Sequence, residues 1–281
     1  MKKPSKKAVS LTLLFLILFS IFAYCENNLL TVAHHTAENE KLPSDFDGFV
    51  IAQVSDFHNT KSKLLQNTLL SEIEKAQPDI IVITGDFIDS NRTDTAVSLA
   101  YAKKLLEIAP VYMSTGNHEF RSAEEYPSFE KALIDAGVIV LRNEAVKTAK
   151  GNSEINILGI DDPYFLEGDN KFDSTRKELE STEYDKELFT LTLAHRPEIF
   201  SAYVECEQDL VLSGHAHGGQ FRLPVIGGLY GPTEGIFPEY SEGSHKENGT
   251  EMIISRGIGN SDFPLRLNNR PELIIITLHA E

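Results

Sequence analysis

Asp79-Ile80-Ile81-Val82-Ile83-Thr84-Gly85-Asp86-Phe87-Ile88-Asp89 is the stretch on which the reading of this chain turns. Its apolar run has strand length and is β-branched throughout, which predicts a strand buried on both faces. The run delivers a carboxylate, Asp86, at its end. Such a group is costly to desolvate unless a counter-charge meets it. A metal ion supplies one, so Asp86 is read as a carboxylate bridging two metal ions, with further ligands from other loops. Taken alone, Thr84-Gly85-Asp86 reads better as a turn closing the strand; the other strand ends change that.

Upstream, Phe49 to Val54 predicts a strand that runs into Ser55-Asp56-Phe57-His58. Residues two apart on an extended strand end point the same way, so Asp56 and His58 can present a carboxylate and an imidazole to one point. Leu65, Leu69 and Ile73 share a helical face, and Pro78 closes that helix before the Asp79 strand, a βαβ rhythm. Downstream, a helix over about Asp94 to Ile108 precedes a short strand, Val111 to Ser114, and then Gly116-Asn117-His118-Glu119. Asn117 is a hard oxygen donor for a metal or a helix N-cap, since Arg121 to Ala136 has a helical pattern. Val146 to Thr148 and Ile155 to Ile160 predict antiparallel strands, followed by a turn at Asp161-Asp162-Pro163, and residues 167 to 187 read as solvated helix and loops.

Phe189 to Ala194 alternates as a strand and ends at His195; Asp209 to Ser213 predicts another and gives Gly214-His215-Ala216-His217-Gly218-Gly219-Gln220. Two histidines two apart, flanked by glycines, can aim both rings at one place. Residues 224 to 250, rich in Gly, Pro and Tyr, read as a long loop region of the kind that carries binding surfaces. Met252 to Ser255 and Leu273 to Leu278 close the pattern as strands. Arg256, Arg266 and Arg270 lie between them, and Arg256 and Arg266 are the candidates for clamping a phosphate; a salt-bridged surface arginine is the plainer account of each.

The 281 residues suffice for one large domain with a substantial core. The formal net charge of -16 argues against a non-specific grip on nucleic acid. Only two cysteines, Cys25 and Cys206, are present, so neither a disulfide framework nor a thiolate metal site is expected. At the amino end, Lys2, Lys3, Lys6 and Lys7 precede an apolar run from Ala8 to Tyr24, a signal anchor or transmembrane segment over residues 1–25. Phe22 and Tyr24 occupy positions that should be small before a cleavage site, which favours an uncleaved anchor with the bulk of the chain outside the cytoplasm; lipidation of Cys25 is the alternative. Residues 26–47, with the His34-His35 pair, read as a tether or an initial strand, and residues 48–281 as the one large domain.

In order, the strand ends spell D-x-H, G-D-x-x-D, G-N-H-E, a single His and G-H-x-H, all between Asp56 and His217. This series resembles the calcineurin-like metallophosphoesterases. The tail, from Gly214-His-Ala-His-Gly-Gly-Gln through Ser255-Arg-Gly-Ile-Gly and Pro264-Leu-Arg to Arg270-Pro-Glu, is similar to the bacterial membrane-associated branch with YkuE- and YaeI-like phosphodiesterases and UDP-2,3-diacylglucosamine hydrolase. The resemblance implies an α/β fold, a four-layer αββα sandwich of two mixed sheets. It implies two divalent metal ions, one held by Asp56, His58, Asp86 and His217, the other by Asp86, Asn117, His195 and His215. His118 would be the catalytic histidine beside the leaving group and Asp89 would orient it. Mn, Fe, Zn and Co all suit this N/O donor set. The expected reaction is hydrolysis of a phosphodiester or pyrophosphate by a metal-bridging hydroxide, on a lipid-linked or nucleotide-containing substrate near the membrane. A phosphomonoesterase or nuclease is the alternative enzyme, and a non-catalytic, metal-stabilised surface-binding module the alternative of another class.

Overall fold

The computed structural model describes residues 5–260, 263 and 265–281, so Lys2, Lys3 and Pro264 lie outside the described residues. Seven α-helices are described: α1 Lys6–Asn28, α2 Lys63–Ala76, α3 Thr95–Leu106, α4 Asn117–Arg121, α5 Tyr126–Ala136, α6 Lys171–Ser181 and α7 Phe200–Glu205. The strands of the two large sheets are β1 Thr31–Asn39, β2 Phe49–Val54, β3 Ile80–Thr84, β4 Val111–Ser114, β5 Ile139–Val140, β6 Glu144–Lys150, β7 Ser153–Ile160, β8 Thr190–Ala194 and β9 Leu210–Ser213, followed later by β14 Gly243–Glu247, β15 Thr250–Ile254 and β16 Glu272–Ala280. Between β9 and β14 lie two-residue strands that pair as hairpins, β10 Arg222–Leu223 with β11 Gly227–Gly228 and β12 Tyr230–Gly231 with β13 Gly235–Ile236.

One six-stranded sheet has the order β1-β16-β2-β3-β4-β5 and the other β14-β15-β9-β8-β7-β6. Both are mixed: in the first, β16 runs antiparallel to β2 while the remaining pairs are parallel, and in the second both edge pairs are antiparallel. The alternation of side chains along each strand builds the layers. Ile80 and Val82 of β3 enter the core between the sheets with Ile157, Leu191, Leu212 and Ile274. Ile81 and Ile83 face the other way, onto Leu65, Leu69 and Ile73 of α2 and the apolar faces of α3 and α5. On the second sheet Leu158, Val211 and Met252 pack under α6 and α7. Helices, sheet, sheet and helices form the four-layer αββα sandwich.

Two local readings are corrected. Residues 26–47 are not a free tether: Thr31–Asn39 is strand β1, in register with β16 from Thr31↔Glu272 to Asn39↔Ala280. Glu26 also belongs to the body of the domain, buried with its carboxylate on the Asn269 N–H (3.1 Å) and Arg270 Nε (2.9 Å). Likewise, the pattern from Arg121 to Ala136 resolves into α4 and α5, which break at Ser122. Before that join, α1 is long and apolar enough to cross a membrane, and its apolar stretch is exposed.

Candidate metal centre

Five strands end at one place. β2 leads to Asp56 and His58, β3 to Asp86, β4 to Asn117 and His118, β8 to His195, and β9 to His215 and His217. All eight side chains are buried. Because β2, β3 and β4 are parallel neighbours in one sheet and β8 and β9 in the other, their carboxyl-terminal ends share an edge. Asp56 and His58 do not converge through the pleat of an extended strand, as the spacing predicts. Both are left-handed, at φ 50° and 46°, as are Asp86 (50°), His215 (66°) and His217 (47°). Asp and His are among the few side chains that enter this region readily, so the residue types that ligate metals also permit the turns that aim them. Gly85 is required by close approach: a Cβ there would stand 2.6 Å from His195 Nδ1 and 2.8 Å from the Gly116 Cα.

The donors form three overlapping groups, each within 4.8 Å: Asp56, His58 and His217; His58, Asp86 and His118; and Asp86, His195 and His215. His217 Nε2 is 3.3 Å from Asp56 Oδ1 and 3.2 Å from His58 Nε2. His195 Nε2 is 3.1 Å from Asp86 Oδ2, yet it makes no hydrogen bond. Separations near 3 Å without hydrogen-bond alignment are what ligands at about 2.0–2.2 Å from a shared cation produce. The electrostatics agree. From the protein groups alone, burial lowers His195's affinity for a proton, but Asp86 and Asp56 outweigh it and raise its pKa to about 10. Burial and Asp86 push Asp56 up to about 6, whereas burial holds His58 down at about 3. The two carboxylates demand positive charge at a spot where burial keeps His58, His215 and His217 neutral, so these residues fit divalent cations. The histidines of the Gly-His-x-His turn divide, His217 beside Asp56 and His215 beside Asp86.

A second set of contacts fixes this floor. Glu119, fully buried, accepts hydrogen bonds from the N–H groups of Asp86, Phe87, Ile88 and Gly116 at 2.8–3.1 Å. Burial and the adjacent Asp86 push its pKa up to about 7, against the donors that hold it ionised. Asp89 Oδ1 lies 3.6 Å from His118 Nδ1, while the Ser90 N–H donates to the same nitrogen at 3.0 Å. Burial lowers the His118 pKa, but Asp86, Asp89 and Glu119 outweigh it, so the net direction is upward. Arg196, also buried, donates to Asp162 (2.6 Å) and reaches His215 Nε2 (3.0 Å) and Asn117 Oδ1 (3.4 Å). Asp162 therefore both forms the expected turn, accepting from the Tyr164 N–H, and supports the site at one remove.

Residues 49–219, and with them every strand end just described, match the family Calcineurin-like phosphoesterase. The chain is a calcineurin-like phosphoesterase. It is 30% identical over 263 residues to the uncharacterized metallophosphoesterase YkuE of Bacillus subtilis, covering 92% of this chain and 88% of that one. It is 29% identical over 266 residues to the phosphodiesterase YaeI of Escherichia coli, covering 92% of each. A transmembrane protein with metallophosphoesterase domain from Danio rerio is 27% identical over 249 residues, 85% of this chain and 55% of that one. The phosphoesterase is thus a metal-dependent phosphoester hydrolase with two divalent metal ions as cofactors.

Over the metal centre of this phosphoesterase opens a cavity of ≈ 200 Å³, with Asp86, Asn117, His118, His215 and His217 at its floor and Arg121, Gln220, Tyr230, Pro232 and Phe263 around it. Neither Arg256 nor Arg266 is among its lining residues, which corrects their reading as phosphate clamps. Arg266 is fully buried and donates to the carbonyls of Arg256 (2.8 Å) and Gly259 (2.5 Å) and to Asn260 Oδ1 (3.0 Å), with Nη2 3.2 Å from His217 Nδ1. It props the ligand loop. Arg256 is paired with Glu272 at 2.7 Å. Among the described residues, the cation that lines the cavity is Arg121, exposed at the end of α4. Its signal in the sequence is spacing: it falls one helical turn after Asn117 and His118. Glu119 carries a similar signal, standing three residues after Gly116 at a helix start, where a carboxylate caps free N–H groups.

Proposed function

We propose that this phosphoesterase cleaves a phosphodiester or pyrophosphate bond in a membrane-proximal substrate, lipid-linked or nucleotide-containing, with its catalytic domain on the extracytoplasmic side of a bacterial cell membrane. The observation that carries the reading is the placement of Asp86. Its carboxylate has His58, His118 and His195 within 3.1–4.0 Å, and its backbone is pinned by Glu119. In this reading Asp56, His58, Asp86 and His217 hold one cation, and Asp86, Asn117, His195 and His215 the other. Bound divalent cations supply Lewis acidity: they lower the pKa of water and offset charge on the phosphoryl oxygens.

The protein groups do the rest. His118 stands at the cavity floor with one ring nitrogen turned toward Asp89 and Ser90, which fixes the orientation of the other. It donates a proton to the departing oxygen as general acid. Asp89 is itself held at about 2: burial opposes its ionisation, but His118, the Asn91 N–H and Arg92 favour it. It therefore stays anionic and keeps His118 protonated. Arg121 takes the role first assigned to Arg256 and Arg266, meeting a phosphoryl oxygen at the cavity wall. α1 supports the membrane location, together with the transmembrane relative.

The deciding assay compares an aryl phosphodiester with the matching monoester, with Mn²⁺ added and after chelation. Metal-dependent diester cleavage is expected. Preference for the monoester would replace the reading with a phosphatase, and turnover of neither by fully metallated protein would favour a binding module.

A further inference from the structure

The segment that supplies Tyr230 and Pro232 to the cavity, together with Phe263 at its wall, carries exposed apolar side chains that hydrolysis does not explain. Leu223, Val225, Ile226, Ile236, Phe237 and Phe263 are all exposed, with Val225 wholly so and Ile236 at 73%. Three of them belong to the β10–β11 hairpin, whose tip is Pro224-Val225-Ile226. Val225 is left-handed, at φ 73°. A turn at positive φ in water is normally built from Gly, Asn or Asp, and a β-branched side chain there is an outlier. The chemistry of a solvated turn therefore does not account for this tip.

The backbone ties the apolar hairpin to α1. Arg222 N–H donates to the Leu267 carbonyl (3.0 Å), Phe221 bridges to Leu267, and Gln220 Nε2 donates to the carbonyls of Phe263 (3.0 Å) and Leu265 (2.9 Å). The segment so gripped is the one on which α1 ends. Asn27 Oδ1 accepts from the Arg266 N–H (3.0 Å) and Asn260 Nδ2 (3.0 Å), and Glu26 accepts from the Asn269 N–H and Arg270. The end of a helix apolar enough to cross a membrane, an apolar hairpin and the cavity-lining Gln220 and Phe263 thus form one hydrogen-bonded unit. Scattered apolar residues on a surface need no account, but a set gathered on two short hairpins and tied to a membrane helix does.

We propose that the 223–226 hairpin tip, with Ile236, Phe237 and Phe263, inserts into the bilayer interface beside α1, so that the cavity mouth opens at headgroup level and receives phosphoesters carried by lipids. The occupant of this surface is the lipid bilayer. Apolar side chains on a rigid turn sink to the boundary between headgroups and acyl chains, and an adjoining membrane helix supplies the permanent attachment. The lipid class of substrate rests on the hydrolase reading above; the insertion itself does not.

The chain contains no tryptophan, so a single introduced one is the sole indole emitter. Val225→Trp and, separately, Ile236→Trp are made in the full chain and reconstituted in phosphatidylcholine–phosphatidylglycerol vesicles, with and without lipids brominated just below the headgroup. Ile134→Trp, exposed on α5, is the control. We expect blue-shifted emission at 225 and 236 that brominated lipid largely abolishes, and neither effect at 134. Emission at both rim sites that matches the control overturns the proposal. So does a blue shift that bromine leaves untouched, which would mark contact with a second protein copy, and so does failure of the full chain to float with vesicles. Two reporters guard against one variant misfolding. Because fluorescence is independent of turnover, an inactive but quenched protein would refute the hydrolase reading and leave the insertion standing.

Discussion

The loop after β3 and the segment after β9 both face the cavity, and they are built on different principles. From Gly85 to Asp89 every residue is buried, and the N–H groups of Asp86, Phe87 and Ile88 are satisfied by Glu119 and that of Asp89 by Asn59. From Leu223 to Phe237 the largest apolar side chains are turned outward. The first segment holds a carboxylate to one position, as chemistry at a metal centre demands. The second reaches the centre through Thr233, whose Oγ1 lies 3.1 Å from His215 Nε2, and for the rest presents surface to whatever arrives. The contrast predicts that damage to the floor appears in turnover and damage to the wall in substrate affinity.

The sharpest test is Asp86→Asn. Losing the shared carboxylate should lower diester turnover by roughly 10³-fold or more and reduce bound metal measured by elemental analysis, while circular dichroism stays that of the parent. Normal metal content with normal turnover would break the assignment. Next is His118→Gln, expected to lower turnover by about 10²-fold with metal content retained. The sign of its pH effect follows from its role. A general acid works only while protonated, and the neighbours of His118 raise its pKa above the ordinary value, so parent activity falls on the alkaline side and the variant's profile lacks that fall. Glu119→Gln leaves its four N–H groups with one carbonyl oxygen and an amide that cannot accept. Turnover should drop by about 10-fold to 100-fold, with an unfolding free energy smaller by about 1–3 kcal/mol in denaturant titration. The smallest effect belongs to the wall: Arg121→Ala should raise KM about tenfold, equivalent to about 1.4 kcal/mol, and leave kcat nearly unchanged, while Arg256→Ala should change neither. A larger loss of turnover from Arg121→Ala than from Glu119→Gln would reverse the contrast.

Much of the floor was legible before the structure because its signals are local. An apolar run of strand length followed at once by Asp or His states both the element and what stands at its end, and Ile80 to Asp86 carries both statements. The arginines were misjudged because the fate of a guanidinium is decided by distant partners. Arg266 lies 49 residues from His217, whose ring its Nη2 approaches, and no spacing announces that contact. Residues 26–47 left tether and strand open because β1 pairs only with β16, 241 positions away at Thr31↔Glu272. Its alternation is also weak, since an edge strand beside a single neighbour buries little of itself.

That pairing has a bearing on how the protein is made. β16 lies between β1 and β2, so the strand synthesised after all the others must enter the middle of the first sheet. Until it emerges from the ribosome, β1 has no neighbour and β2 lacks one side. The first sheet therefore cannot close before β16 is available. Closure of long-range pairings is slow because the loop entropy must be met first, and here it is deferred to the final strand. The topology makes closure of the first sheet wait for its last strand, β16.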